Sequence, residues 1–140
     1  TALNLRVSGL YGKSTCRAKG GMNFVELMLK LAVERDEIKV VDDEFLTPTS
    51  TKEIARQVAV ICKKQPSGIA HATAEGFCSW YDFAVAIVDQ GRNHNEEIKV
   101  KQIAPIKTED YPLPAKRPVY SVFSKEKYSI TFLGVFTGYI

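Results

Sequence analysis

Ile38-Lys39-Val40-Val41 is followed by Ser50-Thr51-Lys52-Glu53-Ile54-Ala55-Arg56-Gln57-Val58-Ala59-Val60-Ile61-Cys62, by Gly68-Ile69-Ala70-His71-Ala72, and by Ser79-Trp80-Tyr81-Asp82-Phe83-Ala84-Val85-Ala86-Ile87-Val88. Short apolar or β-branched runs alternate here with stretches of helical period, and that alternation sets the fold. In the second stretch Ile54, Val58 and Ile61 make one face, with Ala55, Ala59 and Cys62 beside it. Ser50 is the expected N-cap, with Glu53 at the capping-box position. In the last stretch Trp80, Phe83, Ala84, Ile87 and Val88 form the face. Ser79 and Asp82 start it, and Gly91 is the expected left-handed stop.

Working outward, Phe24, Leu27, Met28 and Leu31 recur at i, i+3, i+4, i+7 and predict a third helix, with Asn23 as N-cap and Glu26 as its box partner. Leu3, Leu5 and Val7 alternate with polar residues, a strand pattern that begins almost at the first residue and reads as an excised piece. Ile98 and Val100 hint at one more strand. Ala104–Pro118 carries four of the six prolines and is expected to be a long ordered loop, neither helix nor central strand. The whole reads as one α/β unit, residues 1–140, in which short parallel strands alternate with three helices.

The chain has 140 residues, a formal charge of +3, 45% apolar and 25% charged residues, which fits an ordinary globular domain. The charge is too small and too scattered to argue for nucleic acid or an anionic membrane. No apolar stretch is long enough to span a bilayer, and no signal peptide opens the sequence. Cys16, Cys62 and Cys78 are an odd number without a Cys-x-x-Cys pair, so a reducing, cytoplasmic compartment fits better than a disulfide framework.

Single motifs carry little chemistry. Gly12-Lys13-Ser14 resembles the end of a phosphate loop, but Val7 stands where the loop needs glycine, so a turn is the better reading. There is no GxGxxG. His71 and His94 have no metal-ligand spacing to Cys, Asp or Glu. Cys78 sits before a helix start, where amides could lower its pKa, although burial as a small apolar residue is the plainer reading. Asp42-Asp43-Glu44 reads as a solvated acidic run.

Longer strings narrow the field: Arg6-Val-Ser-Gly-Leu-Tyr11-Gly12, Gly21-Met-Asn23-Phe24, Val40-Val-Asp42-Asp43, Thr47-Pro48-Thr49, His71-Ala-Thr, Cys78-Ser-Trp80-Tyr81-Asp-Phe83-Ala84 and Tyr111-Pro-Leu-Pro-Ala-Lys-Arg117-Pro118. In order and spacing they resemble the C-terminal, substrate-binding half of the dTDP-4-dehydrorhamnose reductases, Rossmann-like members of the extended short-chain dehydrogenase/reductase group. The resemblance implies hydride transfer from NADPH or NADH to the C4 ketone of a dTDP-linked deoxysugar, with Mg also found in the family. It implies that Asn23, Thr47, Thr49 and Arg117 face the sugar nucleotide. Asn23 serves equally as a helix cap, Thr47-Pro48-Thr49 as a turn, and Arg117 as a plain surface arginine. No tyrosine is followed by a lysine four residues on, so the chain alone lacks the family's proton donor, lacks the cofactor half, and is expected to be inactive by itself.

Three departures from the family are visible, the third being Phe123–Ile140, which does not resemble the family's Trp-Arg-containing end. Gly9 stands where it has tryptophan, and Leu46 where it has a glycine, which would strain Leu46 if that site needs positive φ. The apolar tail, with Ile130, Phe132, Leu133, Val135 and Phe136, reads as a strand that could self-associate. Two alternatives to a reductase half are a non-catalytic regulatory subunit, like that of methionine adenosyltransferase, and an independent interaction module.

Overall fold

The computed structural model describes residues 2–13, 21–64, 67–94, 97–111 and 114–126. The chain order is β1 (Leu3–Arg6), β2 (Leu10–Tyr11), α1 (Phe24–Glu34), β3 (Glu37–Val41), β4 (Phe45–Leu46), β5 (Thr49–Ser50), α2 (Thr51–Lys64), β6 (Gly68–His71), β7 (Cys78–Ser79), α3 (Trp80–Asn93), β8 (Gln102–Ile106) and β9 (Tyr120–Ser121). The three predicted helices and the α/β alternation are present. The strand pairs β1–β6, β2–β5 and β3–β8 are all parallel, as a chain that inserts helices between strands requires.

The residues gather into two compact units, each assembled from segments far apart in sequence. One contains residues 1–12, 46–77 and 121–140, the other 13–45 and 78–120. Segments of the two units alternate along the sequence, so no single boundary in the sequence separates them.

In the first unit β1 lies beside β6 with Leu5 opposite Ala70. Leu3, Leu5, Ala70 and Ile61 of α2 form a small apolar core. The other face of the pair, Asn4, Arg6 and Ile69, is exposed. α2 differs from its expected face. Ile61 is buried and Ile54 half-buried, but Val58, Ala55, Ala59 and Cys62 are exposed, while Gln57 is fully buried. Gln57 tolerates burial because its amide donates to Glu53 Oε1 (2.9 Å) and to the Thr73 carbonyl (3.2 Å).

The second unit is more conventional. Helices α1 and α3 pack together, and α3 also lies on β3 and β8. Met28, Ala32, Ile38, Val40, Phe83, Ala84, Ile87, Val88 and Val100 are buried. Leu27, expected inside, is exposed, whereas Ala32 is fully buried. α1 and α3 each open with a complete capping box, Asn23 with Glu26 and Ser79 with Asp82. Gly91 does not stop α3. It is buried inside the helix, which runs on to Asn93 with His94 as C-cap. Ile98 and Val100 lie outside any strand. The strand falls on Gln102–Ile106 and includes Pro105, placed opposite Val40. β8 has only β3 as neighbour among the described residues, and an edge strand tolerates a proline that cannot donate to a ladder. The proline-rich loop therefore starts at Lys107, not Ala104.

Candidate functional site

Asn23 sits at the N-terminus of α1 because its short amide can cap the helix. Its Oδ1 accepts from the Glu26 N–H (3.1 Å), and Glu26 Oε2 accepts from the Asn23 N–H (2.8 Å). The next residue, Phe24, meets the edge of Trp80 at 4.6 Å and stacks on Phe83 at 5.5 Å. The lone tryptophan is thus an aromatic contact of the second unit, as helical spacing predicts.

Arg117 lies in the same unit, exposed, near the end of the proline-rich loop. That loop is fastened at its start. The Lys107 ammonium is 2.8 Å from Asp42 Oδ1, and the Thr108 hydroxyl and N–H both donate to Asp43 Oδ1 (2.7 and 3.0 Å). Thr108–Asp110 is one turn of 3₁₀ helix with the Asp43 carboxylate at its N-terminus. At the other end the Phe45 N–H donates to the Val119 carbonyl (2.8 Å), and the Phe45 and Tyr120 rings lie 6.2 Å apart. Asp42-Asp43-Glu44 is therefore no solvated run. Asp42 and Asp43 are half-buried, and the bonds just named compensate their loss of water, while Glu44 is 5% exposed with Oε1 3.3 Å from the Thr108 hydroxyl. The Thr108 hydroxyl, followed by the Thr108 N–H and the Lys107 charge, holds the Asp43 carboxyl below its ordinary pKa against the opposing effect of burial.

Thr47 and Thr49 belong to the first unit, and their hydroxyls are used internally. Thr47 Oγ1 donates to the Gly76 carbonyl (2.9 Å). Thr49 Oγ1 donates to the Thr47 carbonyl (3.1 Å) and accepts from the Ala74 N–H (3.1 Å). Both residues are buried. Thr47-Pro48-Thr49 is thus a turn locked to the segment after β6, and it leads directly into the Ser50 cap, whose Oγ accepts from the Glu53 N–H (3.1 Å). Gly9 packs against this turn. It has φ +56°, its carbonyl accepts from the Thr49 N–H, and a Cβ there would lie 2.6 Å from the Thr47 carbonyl oxygen. A tryptophan at this position needs a different backbone. Leu46 carries no such strain, because it is buried in an extended strand that any side chain adopts.

The remaining candidates take structural places. A Cβ on Gly12 would fall on the Thr51 side chain, so Gly12-Lys13 is a packed turn and not an open phosphate cradle. Ser14 and Cys16 lie outside the described residues. His71 ends β6, makes a 2.8 Å bond from Nδ1 to the Ser124 carbonyl and stacks on Phe123. His94 bonds the Gln90 carbonyl at the end of α3. The Cys78 thiol is not activated. Burial, with the Asp82 carboxylate adding to it, pushes its pKa up to about 11. Among the described residues no group of three or more His, Cys, Asp or Glu side chains could hold a metal ion. No described helix is long and apolar enough to cross a membrane. The apolar tail from Ile130 onward lies outside the described residues.

The family model described as "RmlD substrate binding domain" matches residues 1–139. The chain belongs to the RmlD substrate binding domain family. It is similar to the spore coat polysaccharide biosynthesis protein SpsK of Bacillus subtilis, with 40% identity over 120 residues, 86% of this chain and 38% of that protein. It is likewise 40% identical over 120 residues to a dTDP-4-dehydrorhamnose reductase of Burkholderia thailandensis, across 78% of this chain and 40% of the relative. Among solved structures, a dTDP-4-dehydrorhamnose reductase from Bacillus anthracis in complex with NADP superposes with TM-score 0.80 and 32% identity, covering 92% of this chain and 42% of that one. This RmlD-type chain spans about two fifths of the length of the relatives it matches.

Of the four residues singled out in the sequence, the structure puts Asn23 and Arg117 in one compact unit and Thr47 and Thr49 in the other. Sequence reasoning missed Asp43 and Thr108. The signal available was an acidic pair directly after a strand together with a Lys-Thr pair directly after another, but only the β3–β8 register brings the two together.

Proposed function

We propose that this chain is the sugar-nucleotide-binding part of a dTDP-4-dehydrorhamnose reductase. The observation that carries the reading is the 40% identity to a curated reductase across 78% of the chain, joined by a TM-score of 0.80 to a reductase structure. Those relatives do not favour the regulatory-subunit alternative.

In this reading residues 1–140 act as one substrate-binding domain. The diphosphate of a dTDP-4-dehydro sugar lies against the second unit. Arg117 supplies a planar guanidinium, which can grip phosphate oxygens in two parallel hydrogen bonds. The first turn of α1 supplies backbone N–H groups beside Asn23 and the positive end of a helix dipole. Any role for Thr47 and Thr49 is indirect, since their hydroxyls are spent on holding their own turn.

The relative from Bacillus anthracis was solved with NADP. The residues here do not fit a nicotinamide dinucleotide. There is no glycine-rich fingerprint, and the one glycine–lysine turn is filled by Thr51. In this reading cofactor, hydride transfer and any magnesium ion belong to the three fifths of the relatives that this chain does not span. A cytoplasmic setting, consistent with three cysteines that form no evident framework, is part of the same reading, as is self-association through residues 130–136.

Calorimetric titration of dTDP into the full-length protein tests the proposal. Arg117→Ala is expected to weaken dTDP about tenfold or more. Asn23→Ser, which keeps a capping oxygen but shortens the side chain, separates cap from ligand contact. Unchanged dTDP affinity in Arg117→Ala, or no dTDP binding by the wild type, overturns the reading.

A further inference from the structure

The segment Asp42–Phe45, which directly follows β3, fastens both ends of the loop that carries Arg117. Asp42 takes the Lys107 ammonium and Asp43 the hydroxyl and N–H of Thr108. Glu44 Oε1 lies 3.3 Å from the same hydroxyl, and the Phe45 N–H donates to the Val119 carbonyl. The Glu44 carbonyl also accepts the Trp80 N–H (3.2 Å), and Trp80 contacts Phe24 next to Asn23. Four consecutive residues thus connect the start of α1 to both feet of the loop. Arg117 itself is exposed and stands two residues from the Val119 foot. Ordering a loop on binding costs free energy, so an arginine on a loop whose backbone is already held meets an anion at lower cost. Ion pairs at half-exposed surface positions such as Asp42–Lys107 contribute little. The half-buried, doubly bonded Asp43–Thr108 contact is the stronger fastening.

We infer that Asp43 and Thr108 are a positioning pair that presents Arg117 to the diphosphate of the sugar nucleotide. The inference rests on the function proposed above. Neither residue touches the ligand in this scheme. They act only through the loop.

The test uses the full-length protein, dTDP as the probe, and the variants Thr108→Val and Asp43→Ala, each alone and combined with Arg117→Ala. Thr108→Val keeps the volume and the backbone N–H bond and removes only the hydroxyl. A thermal melt establishes that it is folded, should Asp43→Ala fail to fold. Thr108→Val is expected to weaken dTDP about tenfold. It is also expected to speed tryptic cleavage between Lys116 and Arg117, the loop's exposed basic pair. With Arg117→Ala already present, neither variant should weaken dTDP further, because the residue through which they act is gone. Equal weakening in the presence and absence of Arg117, or unchanged dTDP affinity in Thr108→Val beside a wild type that binds, overturns the pair alone. A wild type that takes up no dTDP overturns the substrate reading together with the pair, and cleavage at Lys116 then reports only whether the fastening holds the loop.

Discussion

The two compact units keep their shape by different means. In the second, buried side chains are almost all apolar: Met28, Ile38, Val40, Phe83, Ile87 and Val88 fill the space between two helices and two parallel strands. In the first, among the described residues, buried Leu46, Ile61, Ala70 and Ala72 are matched by buried polar side chains, Ser8, Thr47, Thr49, Gln57 and Thr73. Apolar burial is indifferent to direction, so a helical or alternating pattern is enough to specify it. Buried polar groups must each find a partner, so their arrangement is exacting and leaves little trace in a pattern of hydrophobicity. Thr73 marks the limit, since its hydroxyl has no partner among the described residues.

The contrast predicts how each unit breaks. The largest effect is expected in the second, where Phe83→Ala removes a ring packed on Phe24 and should cost about 3–5 kcal/mol. Trp80 is the chain's single tryptophan and lies in that unit, so its fluorescence during urea unfolding reads the loss directly. A cost below about 1 kcal/mol would mean that the core relaxes around the cavity. In the first unit the sharpest break is Gly9→Ala. It places a side chain at φ +56° and 2.6 Å from the Thr47 carbonyl, and it should cost about 2 kcal/mol or more by thermal melting. Thr49→Val, which removes a hydroxyl that both donates and accepts, should follow at about 1–3 kcal/mol. If Thr49→Val proves neutral, the polar network is not what holds that unit.

These differences explain which parts could be read in advance. All three helices were legible because Asn23, Ser50 and Ser79 cap them and their apolar residues recur with helical period. β1 was legible as an alternating run, and β3 and β6 as short apolar runs. The strand at Gln102–Ile106 was hidden by Pro105, which reads against a central strand, and an edge position is a property of the assembled sheet. Gln57 was hidden because its burial depends on Thr73, sixteen residues away. The candidate site was half legible. Asn23 and Arg117 stand in family strings, but the fastening of Arg117's loop joins residues 65 apart through β3–β8 pairing, which no local pattern encodes.

A smaller effect separates the two roles of Asn23. Asn23→Ala removes the capping acceptor and should cost about 1 kcal/mol, whereas Asn23→Ser should cost only a few tenths, since serine caps almost as well. Both should weaken dTDP if the amide itself meets the ligand. If only Asn23→Ala does so, the helix N-terminus is what binds and Asn23 merely builds it.

The smallest expected effect is the pH response of the second unit's polar fastening, a place where it departs from its apolar logic. Thr108 holds the Asp43 carboxyl below its ordinary value of 3.8. A carboxyl whose pKa is lowered by folding binds its proton less readily in the folded state, so its contribution to stability is complete above that ordinary value. It declines as the pH falls past 3.8 and through the lower folded pKa. Asp43→Asn should therefore lower the melting temperature slightly at neutral pH. The gap between variant and wild type should narrow as the pH is brought down through that range. A gap that stays constant with pH would show that the Asp43 charge is immaterial and that the fastening works through the shape of the bond alone.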